Sequence, residues 1–296
     1  MTRTLILGAR GMLGRELAAQ FPGALGLDLP DLDIRDEGAV RAVLAAERPA
    51  LVLNAAADTR VDLAESDAAH LAVNDIAVGT LARACKSGGI TLGHVSTDYV
   101  FPGRGTRPWR EDDPVDPVNA YGRGKLGGER RFLESGVKGF VVRTSWLFGA
   151  YGPNFVDTIL KQAEAGNSEL KVVADQEGRP TYAPDLARAI RLLFEKGASG
   201  VVHFANAGGT TWYTFAREAL RLARFEGVVV RPCTTVDFPR PARRPAYSVL
   251  DTALYERTVG EKPRPFVETL ADYLVIRAAK QPPDGTGPRE SDTIHA

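Results

Sequence analysis

Short apolar runs alternate with helical stretches over the first 150 residues, and this constrains the fold more than any other feature. Leu5-Ile6-Leu7 and residues 24–28, 51–53, 91–96 and 140–143 have the length and composition of strands. Between them, residues 12–21, 37–47, 68–87 and 121–133 carry helical patterns. Parallel strands need crossover connections, usually helical, so the alternation predicts an α/β fold with a doubly wound parallel sheet. The runs are continuously apolar, as strands buried on both faces require. Beyond residue 150, helical patterns at 155–165, 183–195, 213–223 and 266–279 are separated by loops rich in Pro and Gly, and 201–204 reads as one more buried strand. The expected division is a first unit over 1–150 with a return at about 184–206. A smaller, partly interleaved second unit takes 151–183 and 207–280. The polar stretch 281–296 is expected to be disordered.

Composition excludes several classes of function. The 296 residues carry 37 Lys+Arg against 37 Asp+Glu. A chain without basic excess is not built for nucleic acid or a membrane surface. Two cysteines, Cys85 and Cys233, are too few for a disulfide framework and match no zinc spacing. No apolar run approaches the ~20 residues that span a bilayer. Met1-Thr2-Arg3-Thr4 leads directly into the first strand without an apolar core of signal-peptide length, so the expected location is the cytoplasm.

Gly8-Ala9-Arg10-Gly11-Met12-Leu13-Gly14 joins the first strand to the first helix. Glycines at such a turn permit tight reversal and close backbone approach, and the helix N-terminus presents free amides to an anion. The spacing is GxxGxxG, and three-glycine loops also occur without a ligand. The strand-to-helix position and Asp28, twenty residues after Gly8, favour a dinucleotide in a Rossmann-like fold. The amides of Gly8, Gly11, Met12, Leu13 and Gly14 are the expected diphosphate contacts. Asp28 would accept a ribose hydroxyl, which favours NADH over NADPH, while Arg10 and Arg35 offer compensating positive charge. Asp33 and Ile34 are placed to cover the adenine or, equally, to start the next helix. Asn54-Ala55-Ala56-Ala57-Asp58-Thr59 ends the third strand with small residues, suited to backbone contact through Ala57, Asp58 and Thr59 or to plain packing.

Tyr121 and Lys125 stand four residues apart, on one face of a helix. An ammonium beside a phenol lowers the phenol pKa and makes it a usable proton donor near neutrality. The pair follows His94-Val95-Ser96-Thr97-Asp98-Tyr99 by about one βα unit, so the Thr97 hydroxyl, at a strand end, can lie beside Tyr121.

These residues resemble the extended short-chain dehydrogenase/reductases. More narrowly, Ser96-Thr97-Asp98-Tyr99-Val100-Phe101, Arg143-Thr144-Ser145-Trp146, Asp175-Gln176-Glu177-Gly178-Arg179-Pro180-Thr181 and Arg244-Pro245-Ala246-Tyr247-Ser248 resemble the dTDP-4-dehydrorhamnose reductase family, over about residues 3–276. The resemblance implies hydride transfer from NADPH or NADH to the C4 carbonyl of a dTDP-linked 4-keto-6-deoxy sugar. Tyr121 would protonate the oxygen, Lys125 would hold the ribose and depress the Tyr121 pKa, and Thr97 would hydrogen-bond the carbonyl. Thr97, Asp98 and Trp146 would touch the sugar. Related 4,6-dehydratases place Asp-Glu after the threonine; Asp98-Tyr99 lacks the glutamate, which removes the acid–base pair for dehydration. A related 4-ketoreductase making another deoxysugar shares every motif, and a non-catalytic NAD(P)-binding regulatory subunit is the reading from a different class.

Other residues carry weaker expectations. Arg240, Arg243 and Arg244 suit either a nucleotide diphosphate, with Arg244 the chosen ligand, or a solvated loop. His94 and His203 read as packed core histidines. Asn74 is placed to hold a water or backbone carbonyl near the site, or simply to cap or pack. Some related reductases carry a divalent ion at a dimer contact, and Glu16 sits at the matching helix position. No cluster of metal ligands accompanies it, so no metal is expected, and a homodimer stays open.

Overall fold

The computed structural model describes residues 3–280; the tail expected to be disordered lies outside them. Six strands form the main sheet: β1 (Thr4–Leu7), β2 (Leu25–Leu27), β3 (Leu51–Asn54), β4 (Thr91–Thr97), β5 (Gly139–Thr144) and β6 (Gly200–His203). Their spatial order is β2-β1-β3-β4-β5-β6, with every neighbouring pair parallel. The helices are α1 (Met12–Gln20), α2 (Glu37–Glu47), α3 (Ala77–Ser87), α4 (Ala120–Ser135), α5 (Phe155–Glu164), α6 (Ala183–Glu195), α7 (Trp212–Leu222), α8 (Ala253–Val259) and α9 (Phe266–Lys280).

Side-chain alternation along each strand feeds two cores. Leu5, Leu7, Val52, Leu92 and Val141 face α2, α3 and α4. Ile6, Leu51, Leu53, Phe140 and Val142 face α1, α6 and α8. With both faces covered, β1, β3 and β5 are buried along their whole length, as continuous apolar runs require. Edge strand β2 is the exception, and its Leu25 is 37% exposed.

A third core joins α5, α7 and α9 through Val156, Leu160, Phe215, Leu220, Leu270 and Tyr273. The parallel pair Glu169–Val173 and Val229–Cys233 extends this region. One helix departs from the expected division. Residues 253–259 fall in the stretch assigned to the second unit, yet Tyr255 and Val259 pack into the core of the first. The Tyr255 ring meets Phe204 edge-on at 4.9 Å.

The helical stretch over 68–87 is also not uniform. Ala69–Leu71 runs through a π-helical turn, Ala72–Ile76, into α3. Such turns re-aim side chains inside a helix, often at functional sites. Here the turn carries buried Asn74, whose carbonyl lies where a Cβ on Gly128 of α4 would sit.

Beneath the carboxyl ends of the strands, Arg143 of β5 forks onto Glu129 of α4 at 2.7–3.2 Å. Ser96 of β4 donates to the same carboxylate, and both charged residues are almost fully buried. A buried charge left without its partner is expensive. Arg143→Met should therefore lower unfolding free energy by about 3–5 kcal/mol in urea denaturation; a loss below about 1 kcal/mol would show that the pair does not hold α4 to the sheet.

Candidate active site

Chain order reverses at β1, which has β2 on one side and β3 on the other. A crevice opens at the carboxyl ends of strands at such a switch point. The cleft here has a volume of about 590 Å³ and is lined by Gly8, Gly11, Asp28, Ile34, Ala57 and Asp58, with Asp33 and Thr59 at its margin. Gly8 adopts φ +75°, and a Cβ there would lie 2.6 Å from the Ala56 amide nitrogen, so only glycine fits. Gly14 is closed in by the Gly8 carbonyl. Gly11 differs: a Cβ would meet only the Gly8 oxygen at 3.3 Å, and its other side faces the cleft. Gly11 caps α1 without a side chain, leaving the first-turn amides of Met12, Leu13 and Gly14 without intrahelical partners. Leu13 packs into the core, and the Met12 thioether lies near Gly149. An uncapped helix start above an uncrowded glycine turn fits a dinucleotide diphosphate.

Three arginine–aspartate pairs rim the cleft. Asp28 accepts the Arg10 and Leu29 amides at 2.9 and 2.8 Å. The Arg10 guanidinium turns to the Leu29 carbonyl and to Asp31. Arg35 forks onto Asp33 and holds that carboxyl below its usual range. The charges expected to compensate for Asp28 are thus engaged with Asp31 and Asp33. Asp58 is held low by Arg60. Asn74 clamps its backbone, accepting from the Asp58 amide at 3.0 Å and donating to the Asp58 carbonyl at 2.7 Å.

Thr97 ends β4 and caps the 3₁₀ turn Asp98–Val100, its hydroxyl accepting from the Tyr99 amide. Helix α4 starts opposite, capped by Asn119, which accepts from Gly122 at 2.8 Å and donates to the Arg243 carbonyl at 2.9 Å. Gly122 lies against the Tyr99 carbonyl with no room for a Cβ, and this contact brings the helix close enough for Tyr121 to face Thr97. The Tyr99 ring meets Tyr121 edge-on at 5.8 Å.

Lys125 corrects one expectation. Its ammonium is buried and donates to the Val95 carbonyl at 2.7 Å, not to the phenol. Burial lowers the Lys125 pKa to about 8. Tyr121 is held above the ordinary tyrosine range, first by burial and then by the carboxylates of Asp98 and Asp58, with the Thr97 hydroxyl pulling the other way. In the protein alone the phenol is therefore not activated by lysine.

Trp146 sits in the left-handed region at φ 47° and stacks on Trp212 with ring centres 3.6 Å apart. Gly178 lies against its indole, where a Cβ would approach to 2.5 Å. Trp146 is thus presented beside a turn and not within a strand core. Arg244 is engaged by Asp62 at 2.9 Å and is mostly buried, so its fork is not free as expected. Arg240 rests over Phe238. Asp98 is fully buried near Ser248, and burial raises its pKa to about 7 against the pull of the Ser248 and Thr97 hydroxyls. His203 is buried against Trp109 and Arg143. His94 meets Asn54 through Nδ1, while its Nε2 has no partner among the described residues. Glu16 is raised by half-burial.

Sequence reasoning did not single out Trp212, Ser248 or the Arg143–Glu129 pair as site elements. Segments 175–181 and 244–248 resembled family motifs, with a role assigned only to Arg244; they prove to be hydrogen-bonded to each other, Glu177 accepting from Ser248 and donating to Ala246.

The family described as RmlD substrate binding domain matches residues 2–278. A dTDP-4-dehydrorhamnose reductase from Streptomyces griseus is 42% identical over 298 residues, covering 97% of this chain and 98% of the relative. A Streptomyces antibioticus protein named probable dTDP-4,6-dihydroxy-2-methyloxan-3-one 4-ketoreductase is 43% identical over 297 residues, covering 96% and 99%. The crystal structure of dTDP-4-dehydrorhamnose reductase from Bacillus anthracis in complex with NADP matches at TM-score 0.89 and 34% identity, covering 93% of this chain and 99% of that one. Agreement of this extent, over a sheet and cleft of this geometry, makes the chain a member of the dTDP-4-dehydrorhamnose reductase family.

Proposed function

We propose that this protein uses NAD(P)H to reduce the C4 ketone of a dTDP-linked 4-keto-6-deoxy sugar, with dTDP-4-dehydro-L-rhamnose giving dTDP-L-rhamnose as the leading reaction. The observation that carries this reading is the meeting of Tyr121 and Thr97 beside a dinucleotide-sized cleft, with Asp58 of the cleft wall acting on the Tyr121 phenol. Relatives of similar identity are named for more than one 4-keto sugar, so the reaction class stands above the particular product. In this reading the first unit holds the cofactor, and the second, built on the third core, takes the sugar nucleotide. Trp146, stacked on Trp212, offers an apolar face to a sugar ring. Cytoplasmic residence and a homodimer belong to the same reading; among the described residues no helix is long and apolar enough to cross a membrane.

Chemically, a bound nicotinamide supplies the hydride. The first-turn amides of α1 hold the diphosphate, and Asp28 and the clamped Asp58 backbone take the ribose side. Tyr121 delivers its phenolic proton to the C4 oxygen as hydride reaches the carbon. That leaves a phenolate, which its buried, carboxylate-lined setting disfavours in the protein alone. Lys125 is close enough on the same helix face to offset this charge once it leaves Val95. Arg244 braces the entrance through Asp62 and Ala242.

Incubation with dTDP-4-keto-6-deoxyglucose, with and without prior 3,5-epimerisation, should consume NAD(P)H absorbance; no consumption with either sugar would refute the reading. Tyr121→Phe should lower kcat by about 10²–10⁴-fold and change NADPH affinity by less than about threefold. Normal turnover in that variant would remove Tyr121 as proton donor. Asp28→Ala should weaken NADH about tenfold, the worth of a charged hydrogen bond, and NADPH much less. Equal losses in fluorescence titrations of both cofactors would exclude the ribose role.

A further inference from the structure

Asp98 is 2% exposed, and its two carboxyl oxygens are unlike. Oδ1 accepts the Thr97 hydroxyl at 3.0 Å. Oδ2 is buried without any hydrogen-bond partner among the described residues. No cation among them offsets the charge; the groups that pull toward the carboxylate are all neutral, the Ser248 and Thr97 hydroxyls and the Asp98 and Tyr99 amides, and Ser248 also reaches the Glu177 carbonyl at 3.5 Å. A buried, unpaired carboxylate with an unsatisfied oxygen is costly, whereas a carboxylic acid in the same place needs only one acceptor for its O–H. The Thr97 hydroxyl has a single proton, which Asp98 Oδ1 takes, while the Thr97 oxygen receives the Tyr99 amide at 3.2 Å. While that proton is donated to Asp98 Oδ1 it is not available to a ketone or to the Tyr121 phenol.

We infer that Asp98 works as a neutral carboxylic acid whose Oδ2–H donates to the C4 oxygen of the sugar beside Tyr121, with Thr97 orienting it through Oδ1. The inference rests on the reductase reading. Negative charge gathers on the C4 oxygen as hydride arrives; an acid at Asp98 stabilises it, and a carboxylate there would repel it. The same change of state acts on Tyr121, since the Asp98 carboxylate opposes ionisation of the phenol.

Burial raises the Asp98 pKa to about 7, so the acid is lost as pH climbs through that value and kcat falls on the alkaline side. The titratable groups facing it are Tyr99 from its own turn and Tyr121 from α4, both held above the ordinary tyrosine range. The Arg244–Asp62 pair acts on Tyr99, not on Asp98. Neither tyrosine changes charge between pH 6 and 8.

The test is the pH profile of kcat for wild type, Asp98→Asn and Asp98→Ala with NADPH and the 4-keto sugar. The amide keeps an acceptor for Thr97 and a donor for the sugar. Asp98→Asn should stay within about tenfold of wild type and lose the alkaline decline. Asp98→Ala should lose about a hundredfold in kcat at every pH, the usual cost of removing such a donor, with KM little changed. Asparagine as slow as alanine, or an alkaline decline that persists in Asp98→Asn, would overturn the inference. A second readout needs no turnover: the infrared difference between wild type and Asp98→Asn should show a protonated-carboxyl stretch at pH 6 that disappears by pH 9. Absence of that band at pH 6 would also overturn it. If neither sugar is reduced by wild type, the reductase reading falls, and the infrared band still decides the state of Asp98.

Discussion

The hydrogen bond from the Lys125 ammonium to the Val95 carbonyl seats α4 on the end of β4, and the rest of the site follows from that seat. Tyr121, Lys125 and Glu129 recur every four residues, so one stripe of the helix turns three polar groups toward the sheet. Glu129 is fixed by Arg143 and Ser96, and Lys125 by Val95. Tyr121, on the same stripe, is turned to the Thr97 hydroxyl. The helix accepts glycines at 122 and 128, which weaken it by about 1 kcal/mol each relative to alanine, because its neighbours' carbonyls leave no room for larger residues.

Zero net charge acquires a local meaning in this arrangement. Asp31, Asp33 and Asp58 around the cleft are matched by Arg10, Arg35 and Arg60, whose exposed guanidiniums exchange easily with water or ligand, while Asp28 is held by backbone amides. Anion recognition is left to backbone amides at the start of α1, which carry no formal charge. Asp98 differs from all of these aspartates in being buried, with no counter-charge among the described residues.

The sheet and its helices were legible because burial on both faces writes continuous apolar runs; α2 and α6 begin and end at the residues the pattern marks. The tight turn at Gly8 and Gly14 and the helical setting of Tyr121 and Lys125 were legible because turn geometry and helix spacing are local. The π turn at Asn74 was not, since one extra residue per turn leaves no mark on apolar periodicity. Nor was the Arg244–Asp62 pair, whose members are 182 residues apart. The direction of the Lys125 side chain also escaped: spacing gives the helix face, but a buried carbonyl on a neighbouring strand decides where the ammonium goes. That helix α8 packs into the core shared by α1 and α6 was not legible either, because its place is set by the partners of Tyr255, which sequence order does not reveal.

The central claim is that hydride reaches C4 of a dTDP-linked 4-keto sugar held beside Tyr121. Reduction with NADPH carrying deuterium at its transferable C4 position tests this directly, with proton and deuterium NMR of the isolated product. The account predicts one deuterium at C4 of the sugar and an exchangeable solvent proton on its oxygen. Protium at C4, or a label that stays with the cofactor, would contradict it.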